Sequence, residues 1–287
     1  MVAQHDQIER DTAERMYSPM VKRAYQAMRK LRGEGSNGIL TMMGVTGSSV
    51  QFRRVGPGIT HRHVPKAEVI PINLDFTAFH ANMNTFEAPE YIDIKRHVHM
   101  VNYSQIQETT DAIAKALGRR DDQFILDAFD AVAAPQRVPH GNTGMTVAKM
   151  RSAKRTLDRL EVEESNRCLV MYADGIYDLL GIEEVTSADY NTIRALVNTK
   201  VSSYLGFEII QLGARAEGGL SKAGDIRSNW VFHKGMQGCV AAGFNYGAMV
   251  ESNYVPERSS ILVNGSISGG AVVRDTQGLV EIQTSEA

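Results

Sequence analysis

Few residues in this chain are of the types and spacings that do chemistry. Two His-x-His pairs stand out, His61-Arg62-His63 and His97-Val98-His99. On a strand, residues two apart point the same way, so either pair could share a metal ion. No third ligand follows either pair at a convincing spacing, and exposed or internally bonded histidines are the expected outcome. Asp121-Asp122, after Arg119-Arg120, could serve as a carboxylate pair for acid–base work. Within a helix it reads better as a solvated charged turn with i,i+3 and i,i+4 partners. Cys168 opens an apolar run and Cys239 lies in another, so neither is placed as a nucleophile. There is no phosphate-binding P-loop, no dinucleotide glycine fingerprint, no nucleophile elbow and no Cys-x-x-Cys pair. No catalytic residue, cofactor or metal is expected. In a chain with a full-sized core, that points towards a structural protein.

The core is implied by composition. Of 287 residues, 43% are hydrophobic and 22% charged, which suits one large domain or two moderate ones. The formal net charge is -2, from 31 basic and 33 acidic side chains, so the basic excess of a dedicated nucleic-acid binder is missing. Two distant cysteines fit a reducing compartment. The first residues are polar and lack the apolar core of a signal peptide, and no apolar run approaches a membrane span.

The element that must organise such a core is a long helix over residues 106–132. Ile106, Ile113, Leu117, Phe124, Ala128 and Val132 follow one another by seven or four residues and form one stripe. Asn102 or Ser104 can cap its start, and the region of Pro135 ends it. Its length would be roughly 40 Å. Gly118 inside it costs about 1 kcal/mol relative to Ala, so packing must hold the rod together. A shorter helix is expected from Ser18-Pro19 to Gly33, apolar on Met20, Val21, Ala24, Tyr25, Met28 and Leu31 and basic opposite.

Between these helices the chain is punctuated by glycine. Residues 49–53 alternate as a strand, 69–72 are a second strand candidate, and Val55-Gly56-Pro57-Gly58 is turn-like. A two-stranded ribbon this polar cannot be stable alone in water. A neighbouring subunit is the expected cover. Downstream, helices are expected at 145–160 and 193–201, with Asp174 capping another. Strands are expected at 168–172, 206–210 and 230–232, a glycine loop at 214–225, and a short helix or turn at 236–242. The tail returns to strands at 249–250, 261–263, 271–273 and 279–282.

Three stretches, in this order, resemble the tailed-phage major capsid proteins of the Hong Kong 97 (HK97-like) fold. They are YSPMVKRAYQAMRKLRG, ETTDAIAKALGRRDDQFILDAFDA and the close RSSILVNGSISGGAVVRDTQGLVEIQ. The resemblance implies an α+β fold with an N-terminal arm (1–44) and an extended loop (45–80). It further implies a peripheral domain with a long spine helix (81–148 and 241–287) and an axial domain (149–240). It implies a non-enzymatic virion protein, assembled in the bacterial host's cytoplasm as hexamers and pentamers of an icosahedral shell around double-stranded DNA held non-specifically. No membrane is involved. A separate scaffolding protein and a portal are the implied partners, since the arm leaves no room for a fused scaffold, and a decoration protein is a further candidate. Val50, Phe52, Arg53, Arg54 and Lys66 are the expected intersubunit contacts. The lysine–asparagine cross-link of the type member is not expected, because Lys66 and Asn73 lack a recognisable glutamate partner. Two alternatives remain: an encapsulin-like compartment of the same fold, and a metal-dependent enzyme using the His-x-His pairs.

Overall fold

The computed structural model describes residues 28–32, 38–63, 65, 68, 71–93, 105–133, 136–182 and 203–286. The expected arm helix up to residue 27, the 193–201 helix, His97 and His99, Lys66 and the caps Asn102 and Ser104 lie outside them. The first strands are β1 (Leu40–Met43), β2 (Ser49–Val55), β3 (Phe76–Asn82) and β4 (Asn84–Asp93). The long helix α1 (Gln105–Asp130) follows, then β5 (Gln136–Val138), α2 (Val147–Arg159), β6 (Arg167–Tyr172) and α3 (Ala173–Leu180). The remaining strands are β7 (Ser203–Tyr204), β8 (Phe207–Leu212), β9 (Lys222–Ala223), β10 (Ile226–His233), β11 (Val240–Val255), β12 (Ser260–Val273) and β13 (Leu279–Ser285).

The chain divides into two compact units. One comprises Met1–Arg29, Thr85–Arg120 and Tyr246–Ser268; the other comprises Lys30–Asn84, Asp121–Asn245 and Gly269–Ala287. The boundary therefore cuts α1, β11 and β12 part-way along their lengths.

In the second unit a mixed sheet runs in the order β5-β13-β10-β6-β8-β7, with β9 added beside β10. Strand periodicity sorts its side chains into two cores. Cys168, Val170, Trp230 and Phe232 face the end of α1, where Phe129 lies 5.7 Å from the Trp230 ring and 5.2 Å from Phe232. Leu169, Met171, Val231, Val280 and Ile282 face the other way, onto Met150, Ala153 and Leu157 of α2 and Ile176 and Leu179 of α3. β6 is buried on both faces, which is why it reads as a continuous apolar run. The hydroxyl of Thr146 accepts the Lys149 N–H and starts α2.

In the first unit the helical residues 105–120 lie on β12. A Cβ added at Gly265 would come within 2.1 Å of Ile113 Cγ2 and 3.1 Å of Leu117 Cδ1, so glycine is what permits the approach. The Arg120 guanidinium stacks 3.5 Å over the Phe86 ring, and Thr85 donates to the Ser268 hydroxyl at 3.0 Å. Gly118 is explained here too: a Cβ there would stand 3.3 Å from the Arg29 backbone nitrogen.

Several local expectations are corrected. The ribbon's second strand is Phe76–Asn82, while Pro71 and Ile72 are irregular, because the register sets Phe52 opposite Phe79 and Val50 opposite Ala81. Tyr172, not Asp174, precedes α3, and Asp174 sits in its first turn. Residues 240–242 are not helical but begin β11, a strand of 16 residues that absorbs the expected 249–250 strand. Its early residues pair in parallel with β1, Leu40 opposite Ala241 through Met43 opposite Phe244.

Candidate assembly surface

The ribbon formed by β2 and β3 is a two-stranded sheet with seven cross-strand pairs, from Ser49–Asn82 to Val55–Phe76. Its root is embedded in the chain's own body. β2 alternates, with Val50 and Phe52 buried between exposed Ser49, Gln51 and Arg53. Both pack with Ala81 and Ala241, flanked by Leu40, Val45, Met83 and Val272. Two glycines let the ribbon seat itself. A Cβ at Gly243 would fall 2.5 Å from Val50 Cγ1, and one at Gly270 would fall 2.0 Å from the Asn82 carbonyl oxygen. Val50 and Phe52 are thus covered within the chain. The expectation that a neighbour covers them is corrected: the pleat that alternates them inward also points them at Ala241.

Beyond the root the ribbon changes character. Arg53 is exposed, and Arg54 meets Asp275 at 3.2 Å. Gly56 donates its N–H to the Asp75 carbonyl at 2.8 Å, and Asn73 adopts a positive φ of 36°. Past that point Val55, Ile59, Ile72, Leu74 and Phe76 are all exposed, Ile59 to 75% and Phe76 to 69%. Burying each such side chain is worth about 1.5–3 kcal/mol. These residues, rather than Val50 and Phe52, carry the ribbon's uncovered apolar surface. A signal for them was present in the sequence: Ile70, Ile72, Leu74 and Phe76 recur every second residue, a pattern that runs on beyond the 69–72 strand candidate. His61 and His63 lie exposed on the irregular tip. Among the described residues no three His, Cys, Asp or Glu side chains are grouped to hold a metal ion.

The remaining chemical candidates turn out to be structural. Asp121 and Asp122 are buried, not solvated. The Asp122 carboxylate accepts the backbone N–H groups of Lys30, at 2.9 and 3.0 Å, and of Leu31, at 2.9 Å; Arg215 Nη1 donates to it at 2.9 Å. Burial pushes the Asp122 carboxyl above its usual range, against the opposing pull of the Leu31 and Lys30 amides and Arg215. Asp121 pairs with Arg32 at 3.1 Å, and Gln123 accepts the Gly218 N–H at 2.7 Å. The charged turn therefore fastens residues 30–32 and the glycine loop to α1. Its sequence looks solvated because the partners that pair with it lie about ninety residues away. Both thiols are pushed up to about 12 by burial, which leaves them inert at neutral pH. No helix among the described residues is long and apolar enough to cross a membrane.

Known proteins share this arrangement. The head structure of Helicobacter pylori bacteriophage KHP40 superposes with a TM-score of 0.75 at 9% identity, covering 95% of this chain and 96% of that one. A chain of Mycobacterium phage Che8 gives 0.68 at 18% identity over 93% and 96% of the two chains. The capsid of Cyanophage P-SCSP1u gives 0.69 at 16% identity over 97% and 94%. No curated protein matches in sequence. The shared fold is the α+β, HK97-like one. The sequence profile of the family described as phage capsid protein matches residues 10–286, almost the whole chain. This chain therefore belongs to the phage capsid protein family and is a structural, non-enzymatic component of the virion capsid.

Proposed function

We propose that this capsid protein builds an icosahedral shell of pentamers and hexamers around double-stranded DNA, each copy laying its ribbon on a neighbour. The observation that carries this is the exposed run Val55, Ile59, Ile72, Leu74 and Phe76 on a ribbon whose root is firmly seated. A two-stranded ribbon gains little stability from its own pairing, and soluble monomers rarely leave such apolar surface uncovered. Closed symmetry buries it on every copy at once. In this reading residues 1–44 are the arm, 45–80 the extended loop and 149–240 the axial domain. Residues 81–148 and 241–287 form the peripheral domain. Arg53, Arg54 and Lys66 are contact residues with the tip apolar side chains. A separate scaffolding protein and a portal complete assembly in the bacterial cytoplasm. Nearly balanced charge keeps attraction to the packed DNA weak.

Electron microscopy of the overexpressed chain, alone and with any scaffold encoded beside it, tests the proposal. Closed shells of uniform diameter are expected. Ile59→Ser with Phe76→Ser should leave a folded chain that no longer closes. Monomers under every condition, or full assembly by the double variant, would overturn it.

A further inference from the structure

The helix α2 turns an apolar side into the core and leaves a basic side outside. Val147, Met150, Ala153 and Leu157 are buried, while Arg151, Ser152, Arg155 and Arg159 are exposed. The three arginines recur every fourth residue, so they stand one above another in steps of about 6 Å along the helix. Lys154 flanks them, half-buried. Lys154, Arg155 and Arg159 make no ion pair or side-chain hydrogen bond with the described residues. Asp158, the one acid of the helix, is taken by Arg167 at 2.6 Å. Elsewhere in the same unit basic side chains are matched: Arg32, Arg54, Arg137, Arg215, Arg227 and Lys234 each sit against a carboxylate.

Like charges four apart on a helix repel and weaken it. With the whole chain at a net charge of -2, the stripe is a local concentration and not a share of a general basic excess. A bound polyanion would turn that repulsion into attraction. The stripe lacks what a protein partner needs. The exposed side chains of α2 are Ala148, Arg151, Ser152, Arg155, Asp158 and Arg159, with no aromatic or large apolar one among them. Protein interfaces are anchored by such groups in buried pockets. A phosphate backbone is held by arginine, lysine and hydroxyl side chains alone. Glu161, Glu163 and Glu164, exposed just beyond α2, bound the stripe at its C-terminal end.

We infer that this face of α2 is a contact surface for the phosphate backbone of the enclosed double-stranded DNA, independent of base sequence. This rests on the shell reading above and assigns the side of the subunit that meets the DNA. A DNA strand carries one phosphate per about 3.4 Å of its axis, so several come within reach of a helix about 20 Å long. Lys154, Arg155 and Arg159 would neutralise about three of them per copy. Each contact is weak and lets the duplex slide, while repetition over the shell holds it near the wall.

Binding of a short, labelled double-stranded DNA of mixed sequence to dissociated full-length subunits, followed by fluorescence anisotropy, tests it. Between about 50 and 200 mM salt the association constant should fall about 40-fold, the counterion release expected for three phosphates. Arg155→Gln with Arg159→Gln should reduce that fall to about 3.5-fold. Melting temperature and shell assembly should not change in this variant, since both side chains are exposed. Arg62→Gln, on the exposed ribbon tip, should keep the parent's salt dependence. An unchanged fall in the α2 variant, or an equal reduction in the ribbon variant, would overturn the inference. So would tighter binding of polyaspartate than of DNA of equal charge, which would mark an acidic protein as the partner. The same DNA added outside closed shells should not bind; binding there that is lost in the α2 variant would place the stripe on the outer surface and overturn the assignment. Shells formed by a parent chain that binds no DNA would remove this inference and leave the shell reading intact. DNA-binding subunits that never close into shells would instead remove the reading on which it rests.

Discussion

Replacing Asp122 by asparagine tests whether the middle of α1 anchors residues 30–32. Three donors converge on this carboxylate: the Lys30 and Leu31 N–H groups and Arg215 Nη1, all between 2.9 and 3.0 Å. Asparagine offers one acceptor oxygen and turns an NH2 towards the rest. Arg215, with only 4% of its side chain exposed, would lose the charge that compensates it. Breaking a buried ion pair from one side costs about 3–5 kcal/mol. Against this, burial already disfavours the charged Asp122, so removing the charge recovers part of the loss. The low end, about 3 kcal/mol, is expected, a large share of a typical domain stability of about 5–15 kcal/mol. Urea unfolding of dissociated subunits at one fixed protein concentration reads the change. Asp122→Asn combined with Arg215→Met should lose less than Asp122→Asn alone, because no unpaired charge remains. A single-variant loss under about 0.5 kcal/mol would refute the anchoring argument. The pH dependence has a definite sign. The folded carboxyl binds its proton more tightly than the unfolded one, so this group's contribution to stability grows as pH falls through the raised value and levels off below the usual 3.8.

Four further outcomes follow from the same geometry. Phe52→Ala should destabilise the isolated chain by about 3–5 kcal/mol, measured by denaturant unfolding, because the ring is buried at the ribbon root. Phe76→Ser, on the exposed tip, should leave that unfolding curve within about 0.5 kcal/mol and show its effect only in the yield of shells. Gly270→Ala should give insoluble or ribbon-displaced protein, seen as faster proteolysis at residues 45–84, since its Cβ would meet the fixed Asn82 carbonyl at 2.0 Å. Glu286 is held below its usual 4.5 by hydrogen bonding to Arg227, against some burial, and by Lys222. Its stabilisation is complete above pH 4.5 and is lost as pH falls through the depressed folded value, so Glu286→Gln should flatten that part of a melting-temperature profile.

Local pattern by itself determined the long helix, the buried strand Cys168–Tyr172 and the helix over Met150, Ala153 and Leu157. Each of these rests on periodicity or residue type within about twenty residues, and the observed α1, Gln105–Asp130, departs from the expected span by one or two residues at its ends. The order of ribbon, rod and strand-rich tail was likewise legible, and the resemblance to phage capsid proteins is one that the family match bears out.

Only the tertiary structure decided what partners those residues meet. Val50 and Phe52 alternate identically whether they face a neighbour or Ala241, and nothing local distinguishes the two. Asp121-Asp122 looks like solvated charge until Lys30, Leu31, Arg32 and Arg215 arrive from distant segments to bury and bond it. The second ribbon strand shifted to Phe76–Asn82 because register is fixed by cross-strand pairs and by the close seat at Gly270, not by local β-propensity. Periodicity tells a side chain that it must be covered; only the packed chain shows by what.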